Sequence, residues 1–200
     1  MEETGNIRAF VAIELPAEAR DYCDEVLARA KRLLASAQGA VRWIRPEGIH
    51  VTLKFLGSVP GEQVPELTQR LMTALTGQAP FDVTLHDLGV FSSAESPRVI
   101  WLGLEGNLRA LGQAQERVEE ATGPLGYPRD KRPYRPHLTL GRVREDAPLE
   151  ELAEIGQLPS EWPRGPGCTF RVTSASLMRS NLSRGGARYT RLADIPFASG

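Results

Sequence analysis

Hydrophobic residues recur along the chain with two periods. Residues 7–15 (IRAFVAIEL) form a short aliphatic and aromatic run that stops at Pro16 and reads as a buried strand. Residues 17–37 place Tyr22, Val26, Leu27, Ala30, Leu33 and Leu34 three and four positions apart, with Arg, Asp and Glu between them. That spacing predicts an amphipathic helix between Pro16 and Gly39. A short apolar run at 41–44 and a Pro46-Glu47-Gly48 break lead into residues 49–56 (IHVTLKFL), which alternate like a half-buried strand. Helical spacing returns over 62–76 through Val64, Leu67, Leu71, Met72 and Leu75, followed by strand-like runs at 81–91 and 99–104. Asn107 is a suitable cap for a helix running to Thr122. Residues 123–136 (GPLGYPRDKRPYRP) crowd Gly, Pro and basic residues together and predict a loop. Strand character resumes at 137–143, a short helix is expected over 149–155, and 170–177 and 189–192 read as closing strands. Helices interleaved with paired strand runs predict an α+β fold with antiparallel sheets in place of a doubly wound parallel sheet. No Gly-rich strand-to-helix turn of the dinucleotide or P-loop type occurs.

Composition narrows the function. The 200 residues carry 24 Lys plus Arg against 25 Asp plus Glu, a formal net charge of −1. Such a balance argues against a broad phosphate-neutralising surface for long nucleic acid, yet leaves room for a pocket that grips one phosphate. Of the basic residues only Lys31, Lys54 and Lys131 are lysine, and arginine is the better phosphate fork. The two cysteines, Cys23 and Cys168, stand far apart with no CxxC, so neither a zinc site nor a disulfide framework is written, and a reducing cytoplasm is the expected compartment. No apolar stretch approaches the about 18 residues of a membrane span, so neither a signal peptide nor a membrane partner is expected.

The informative feature is a repeat. His50-Val51-Thr52-Leu53 recurs 87 residues later as His137-Leu138-Thr139-Leu140, and these frames hold two of the three histidines. In a strand, residues i and i+2 share a face, so each His projects with its Thr while Val51, Leu53, Leu138 and Leu140 point into the core. Two such strands facing one another across a cleft present two imidazoles and two hydroxyls to one small group. Histidine titrates near neutrality, so one ring can be neutral and the other protonated. A base, an acid and two neutral donors suit in-line displacement at phosphorus.

Local charge supports phosphate where net charge does not. Arg129, Lys131, Arg132, Arg135, Arg142 and Arg144 surround the second motif with a single acid, Asp130, among them. Arg142 is the best direct phosphate fork. Strict alternation puts it on the face opposite His137 and Thr139, so this reading requires the strand to end or bulge at Gly141. Lys54 and Arg135 have the right parity for their motifs and are the weaker alternatives.

With these residues in view, the chain resembles the two-histidine phosphoesterase superfamily, and within it the bacterial and archaeal RNA 2′,3′-cyclic phosphodiesterases first described as 2′-5′ RNA ligases. The resemblance runs through RAFVAIELP, WIRPEGIHVTLKFLG, PRVIWLGLEG, YRPHLTLGRV and LMRSNLSRGGARYTRL. It implies one bilobal domain over 1–200, with two pseudo-symmetric lobes of antiparallel sheet, helices on the outer side and an active-site groove between. It implies a monomer that uses no metal and no cofactor. The implied reaction opens the 2′,3′-cyclic phosphate of an RNA end to a 2′-phosphomonoester, and the related chemistry joins such an end to a 5′-hydroxyl without ATP. By the same resemblance His50 is the proton donor, His137 the proton acceptor, and Thr52, Thr139 and Arg142 bind phosphate.

Competing readings of the same residues are a phosphodiesterase acting on free cyclic nucleotides and a non-catalytic module for RNA ends. A metal hydrolase is disfavoured because neither HxH nor HExxH occurs, and a covalent-lysine ligase because no lysine begins a KxDG motif. His86, outside the repeat, reads as an ordinary hydrogen-bonded strand histidine. A base needs an aromatic to stack on, and Phe10, Phe91 and Tyr134 could offer one, but each reads first as core or loop packing and none is assigned that role.

Overall fold

The structure is a computed structural model that describes residues 5–162, 165–183 and 186–197. In chain order its strands are β1 (Asn6–Glu14), β2 (Val41–Trp43), β3 (His50–Pro60), β4 (Phe81–Ser92), β5 (Pro97–Gly106), β6 (His137–Val143), β7 (Cys168–Val172), β8 (Ser174–Ser183) and β9 (Gly186–Pro196). The helices are α1 (Ala17–Leu33), α2 (Val64–Leu75), α3 (Leu108–Thr122) and α4 (Leu149–Glu161). The strands form one sheet in the order β7-β4-β5-β6-β3-β1-β8-β9, with β2 added to β6, and every pairing is antiparallel.

That path falls into two lobes, β3-β1-β8-β9 and β6-β5-β4-β7, which meet at β3 and β6. The junction is narrow: β3 and β6 are held by the single pair Val51 and Leu138. The sheet curls strongly, because one residue, Thr173, separates β7 at its far edge from β8 in the other lobe. The rings of Phe81 on β4 and Phe197 stack at 6.0 Å where the ends of the curl approach. The run at 170–177 is therefore not one strand, since its two halves pair with β4 and β1 on opposite lobes.

The helices bury one stripe each against the sheet. α1 follows Pro16 and buries Ala19, Cys23, Val26, Leu27 and Ala30, with Glu18 in its first turn and Lys31 and Arg32 in its last, the arrangement a helix dipole favours. It stops at Leu33, earlier than the expected 37, and Leu33 stays exposed while Leu34 is buried. α2 buries Leu67, Leu71 and Leu75, and α3 opens with the Asn107 side chain accepting from the Ala110 amide at 3.1 Å. α4 runs six residues past the expected 155, through Gly156 and Pro159. Gly156 is needed there because a Cβ would sit 1.8 Å from the carbonyl oxygen of Ala94 on the β4–β5 turn. Among the described residues no helix is long and apolar enough to cross a membrane.

Candidate active site

The two histidine motifs lie side by side at the lobe junction. An antiparallel pair centred on Val51 and Leu138 sets His50 across from Thr139 and Thr52 across from His137, so each imidazole neighbours the other motif's hydroxyl. Val51, Leu53, Leu138 and Leu140 are all buried beneath.

The repeat extends to the backbone irregularity that follows each motif. The β1–β3 register slips between Val11 and Ala12, leaving Leu53 without a partner, and the β5–β6 register slips between Ile100 and Trp101, leaving Leu140 without one. Each slip is a bulge, and each shifts the alternation by one residue. Leu53 and Lys54 are consequently buried in succession, as are Leu140 and Gly141, after which Phe55 and Arg142 emerge on the groove face. The bulge that Arg142 requires is present, one residue earlier than expected. Gly141 is fixed by a different need: β2 crosses it, and a Cβ would meet Val41 Cγ1 at 2.6 Å and Trp43 Cε3 at 3.2 Å.

The same bulge removes Lys54 from consideration. Its ammonium is buried on the helix side, bonded to the Glu119 carboxylate of α3 and to the Tyr127 carbonyl at 2.8 Å. Arg135 stays exposed beside His137 and supplies a backbone carbonyl to it. Three other members of the basic segment are taken by acids: Arg129 by Glu116, Arg132 by Asp130, Arg144 by Asp146. Arg142 has no carboxylate partner among the described residues.

Both imidazoles are oriented alike. His50 Nδ1 donates to the Gly48 carbonyl at 2.8 Å, and His137 Nδ1 donates to the Arg135 carbonyl at 2.8 Å. A carbonyl only accepts, so Nδ1 carries the hydrogen on each ring and Nε2 is left for chemistry. Each ring is braced by aromatics. Phe10 stacks on His50 at 4.7 Å, with the Tyr189 edge at 5.1 Å; Phe91 meets His137 edge-on at 4.7 Å. Phe10 and Phe91 therefore support the imidazoles, and Tyr134 ties its loop to β3 by donating to the Thr52 carbonyl at 3.2 Å.

Burial lowers the His50 pKa to about 4, opposed by the Gly48 carbonyl and by Glu14 and reinforced by His137. His137 is lowered too, again chiefly by burial, with the Arg135 carbonyl opposing and Arg142 reinforcing. The charged neighbours thus differ in sign. Glu14, paired with His50 across β1–β3 and held by Ser176 Oγ at 2.6 Å, favours a protonated His50; Arg142 favours a neutral His137.

Sequence reasoning brought His50, Thr52, His137, Thr139 and Arg142 forward, and all five lie on this face. It missed Glu14, Tyr189 and Phe55. Glu14 had a signal, an acid closing an otherwise apolar strand. Tyr189 had none, because β9 reaches the first motif only through the curl of the sheet. Among the described residues one further group of ligating side chains, His86, Asp87 and Glu105, lies together at the far end of the second lobe.

Fold and site together define a class: curled antiparallel-sheet proteins in which two like lobes bring a pair of His-x-Thr strands to one groove. The model of the 2′-5′ RNA ligase superfamily matches residues 24–184, and the chain belongs to that superfamily. It is 34% identical to an RNA 2′,3′-cyclic phosphodiesterase of Methanothermobacter thermautotrophicus, covering 92% of this chain and 95% of that protein. It is 32% identical to an RNA 2′,3′-cyclic phosphodiesterase of Escherichia coli, covering 92% and 93%. Among solved structures, a Thermus thermophilus protein superposes with a TM-score of 0.76 at 26% identity over 96% of this chain and 98% of that one. Escherichia coli LigT complexed with 3′-AMP superposes with a TM-score of 0.72 at 29% identity over the same shares.

Proposed function

We propose that the chain hydrolyses 2′,3′-cyclic phosphate ends of RNA to 2′-phosphomonoesters with the His50–His137 pair and no metal. The observation that carries the reading is the paired orientation of the two imidazoles, each with Nδ1–H fixed by a carbonyl two residues upstream and Nε2 left free. His137 takes a proton from water as its oxygen attacks phosphorus. The P–O3′ bond breaks, and His50 delivers its proton to the departing 3′ oxygen. Thr52 and Thr139 donate to the non-bridging oxygens, and Arg142 forks onto the charge that grows on them. The opposite charges of Glu14 and Arg142 support these roles, the first favouring His50 as the acid and the second His137 as the base. An anion bound between the rings offsets the burial that lowers both. The free thiols of Cys23 and Cys168 suit a reducing cytoplasm.

The test is turnover of an oligonucleotide ending in a 2′,3′-cyclic phosphate, with the 2′-phosphate product identified by chromatography. His50→Ala and His137→Ala are each expected to lower kcat by at least about 100-fold, the low end of what a positioned acid or base contributes. Activity is expected to survive chelation. Loss of activity in EDTA, or full activity of either variant, overturns the reading, and a preference for cyclic mononucleotides over the oligonucleotide reassigns the substrate.

A further inference from the structure

The third histidine reads in the sequence as an ordinary strand residue, but the register of β4 against β5 gives it ligating neighbours. His86 pairs with Gly103 and Thr84 pairs with Glu105, so Glu105 lies diagonally across from His86 on the same face. Strict alternation would send Asp87 to the opposite face. The register slips between His86 and Leu88, Asp87 is left without a partner, and its backbone turns to a φ of +43°. A bulge of this kind re-aims one side chain, and aspartate is among the few residues that tolerate the left-handed backbone. Leu88 follows Leu85 into the core in its place. The Asp87 carboxylate comes round to the imidazole, with Oδ1 3.0 Å from His86 Nδ1.

Three groups therefore converge at the bulge. Glu105 Oε1 is 3.6 Å from the same nitrogen, and donor atoms of all three residues lie within 4.8 Å of one another. His86 Nδ1 is closed off from solvent and has no hydrogen-bond partner among the described residues, because neither carboxylate stands in line with the ring nitrogen. Buried polar atoms are normally satisfied, so this one asks for a ligand. The separations fit a shared ion. Two ligands bound at about 2.0–2.1 Å with tetrahedral angles lie about 3.3 Å apart, midway between the 3.0 and 3.6 Å found here. Gly167, just ahead of β7, fixes the ring from one side: a Cβ there would meet His86 Cδ2 at 3.3 Å and the Leu85 carbonyl oxygen at 2.4 Å. Both carboxylates are more than half exposed and can swing to the ion. His86 and Asp87 line two cavities, one with Trp101 and Tyr134 and the other with Tyr22 and Trp162, which gives an ion its path from solvent.

We propose that His86, Asp87 and Glu105 form a zinc site that clamps the β4 bulge to β5. Zn²⁺ takes the Nδ1 lone pair, one oxygen from each carboxylate and a water in the fourth position. The nitrogen ligand selects it over Mg²⁺ and Ca²⁺, which take oxygen ligands, and the two carboxylates balance its charge. The ion has no part in the displacement at phosphorus. His86 and His137 lie on β4 and β6 with Gly103 of β5 paired to both, and strands about 4.8 Å apart place the two rings about 10 Å from each other. The site is therefore independent of the phosphodiesterase reading. A reaction that needs no metal and a zinc that holds two strands together coexist in one chain.

The experiment titrates the full chain, stripped with EDTA and dialysed, with ZnCl₂ by isothermal calorimetry and follows thermal unfolding in parallel. One Zn²⁺ per chain is expected, and free zinc at about 100 times Kd is expected to raise the unfolding midpoint by about 5–10 °C. Glu105→Gln and Asp87→Asn keep size and backbone and are each expected to weaken binding by at least about tenfold, and His86→Ala to abolish it. Turnover of a 2′,3′-cyclic phosphate end by Glu105→Gln is expected to match the wild type. The paired imidazoles of the groove are the competing zinc ligands, so His137→Ala is titrated alongside and is expected to bind as the wild type does. Binding unmoved by Glu105→Gln and lost in His137→Ala puts the ion in the groove and overturns the proposal. The absence of both a binding heat and a midpoint shift overturns it, as does an equal midpoint shift with MgCl₂. None of these outcomes depends on turnover, so the clamp and the phosphodiesterase reading fail separately.

Discussion

Lys54 sits two residues beyond Thr52, at the bulge that turns β3 after the first motif, and its environment sets a measurable cost. Lys54 and Glu119 are each 5% exposed. The ammonium is satisfied by Glu119 and the Tyr127 carbonyl, and the other carboxylate oxygen accepts from Gln115 Nε2 at 3.1 Å. Lys54→Met retains the apolar stem but leaves Glu119 buried with one neutral donor. Breaking a buried pair in this way costs about 3–5 kcal/mol. For a chain of this length 1 kcal/mol moves Tm by about 2–4 °C, so a fall of roughly 6–20 °C is expected. Replacing both partners, Lys54→Met with Glu119→Leu, removes the stranded charge and is expected to restore most of the loss. The assay is a double-mutant cycle by urea unfolding followed by circular dichroism, with kcat/KM measured on the same samples. Because the pair faces the helices, the folded double variant is expected to turn over near the wild-type rate. A single-variant cost below about 1 kcal/mol, or additive singles, would refute the account of Lys54 as a buried, compensated charge.

Four further outcomes follow from the site. Glu14→Gln removes the carboxylate that favours protonated His50, so the alkaline limb of the kcat–pH profile is expected to move to lower pH. Arg142→Gln removes the cation that disfavours protonated His137, so the acid limb moves to higher pH; unmoved limbs count against the assigned roles. Gly141→Ala drives a Cβ into Val41 and Trp43 of β2 and is expected to cost about 1–3 kcal/mol in urea unfolding and to raise KM through the adjacent Arg142; a neutral substitution would show that β2 yields freely. His50 titrates near 6.5 when unfolded and near 4 when folded, so between those values the unfolded state holds more protons. Stability is therefore expected to fall as pH drops from 6.5 to 4 and to lose this contribution to the slope in His50→Phe.

Much of the site was legible in the sequence because its chemistry is local. A His and a Thr two residues apart on a strand share a face whatever the rest of the chain does, and a buried Val51 or Leu138 between them fixes which face. The four helices and most strands were equally legible from period, but their ends were not. α4 runs past 155 because the Ala94 backbone accepts a glycine at 156. The 170–177 run divides at Thr173 because two distant strands claim its halves. Residue parity failed at Lys54 because it assumes an uninterrupted ladder, and a bulge is set by the neighbouring strand.

The sequence by itself determined the chemical pair. It wrote the same His-x-Thr frame twice, with a glycine at 141 and an arginine at 142, and the periods that make both frames strands. Only the tertiary structure decided what each member faces. The single Val51–Leu138 pair sets each imidazole beside the other motif's hydroxyl, and the bulges at Leu53 and Leu140 bury Lys54 and return Arg142 to the groove. Glu14 and Arg142 give two nearly identical histidines opposite electrostatic surroundings. The physical reason is range: side-chain direction along a strand is fixed within two residues, whereas register, curl and charge environment come from strands up to 139 positions away, as Tyr189 is from His50.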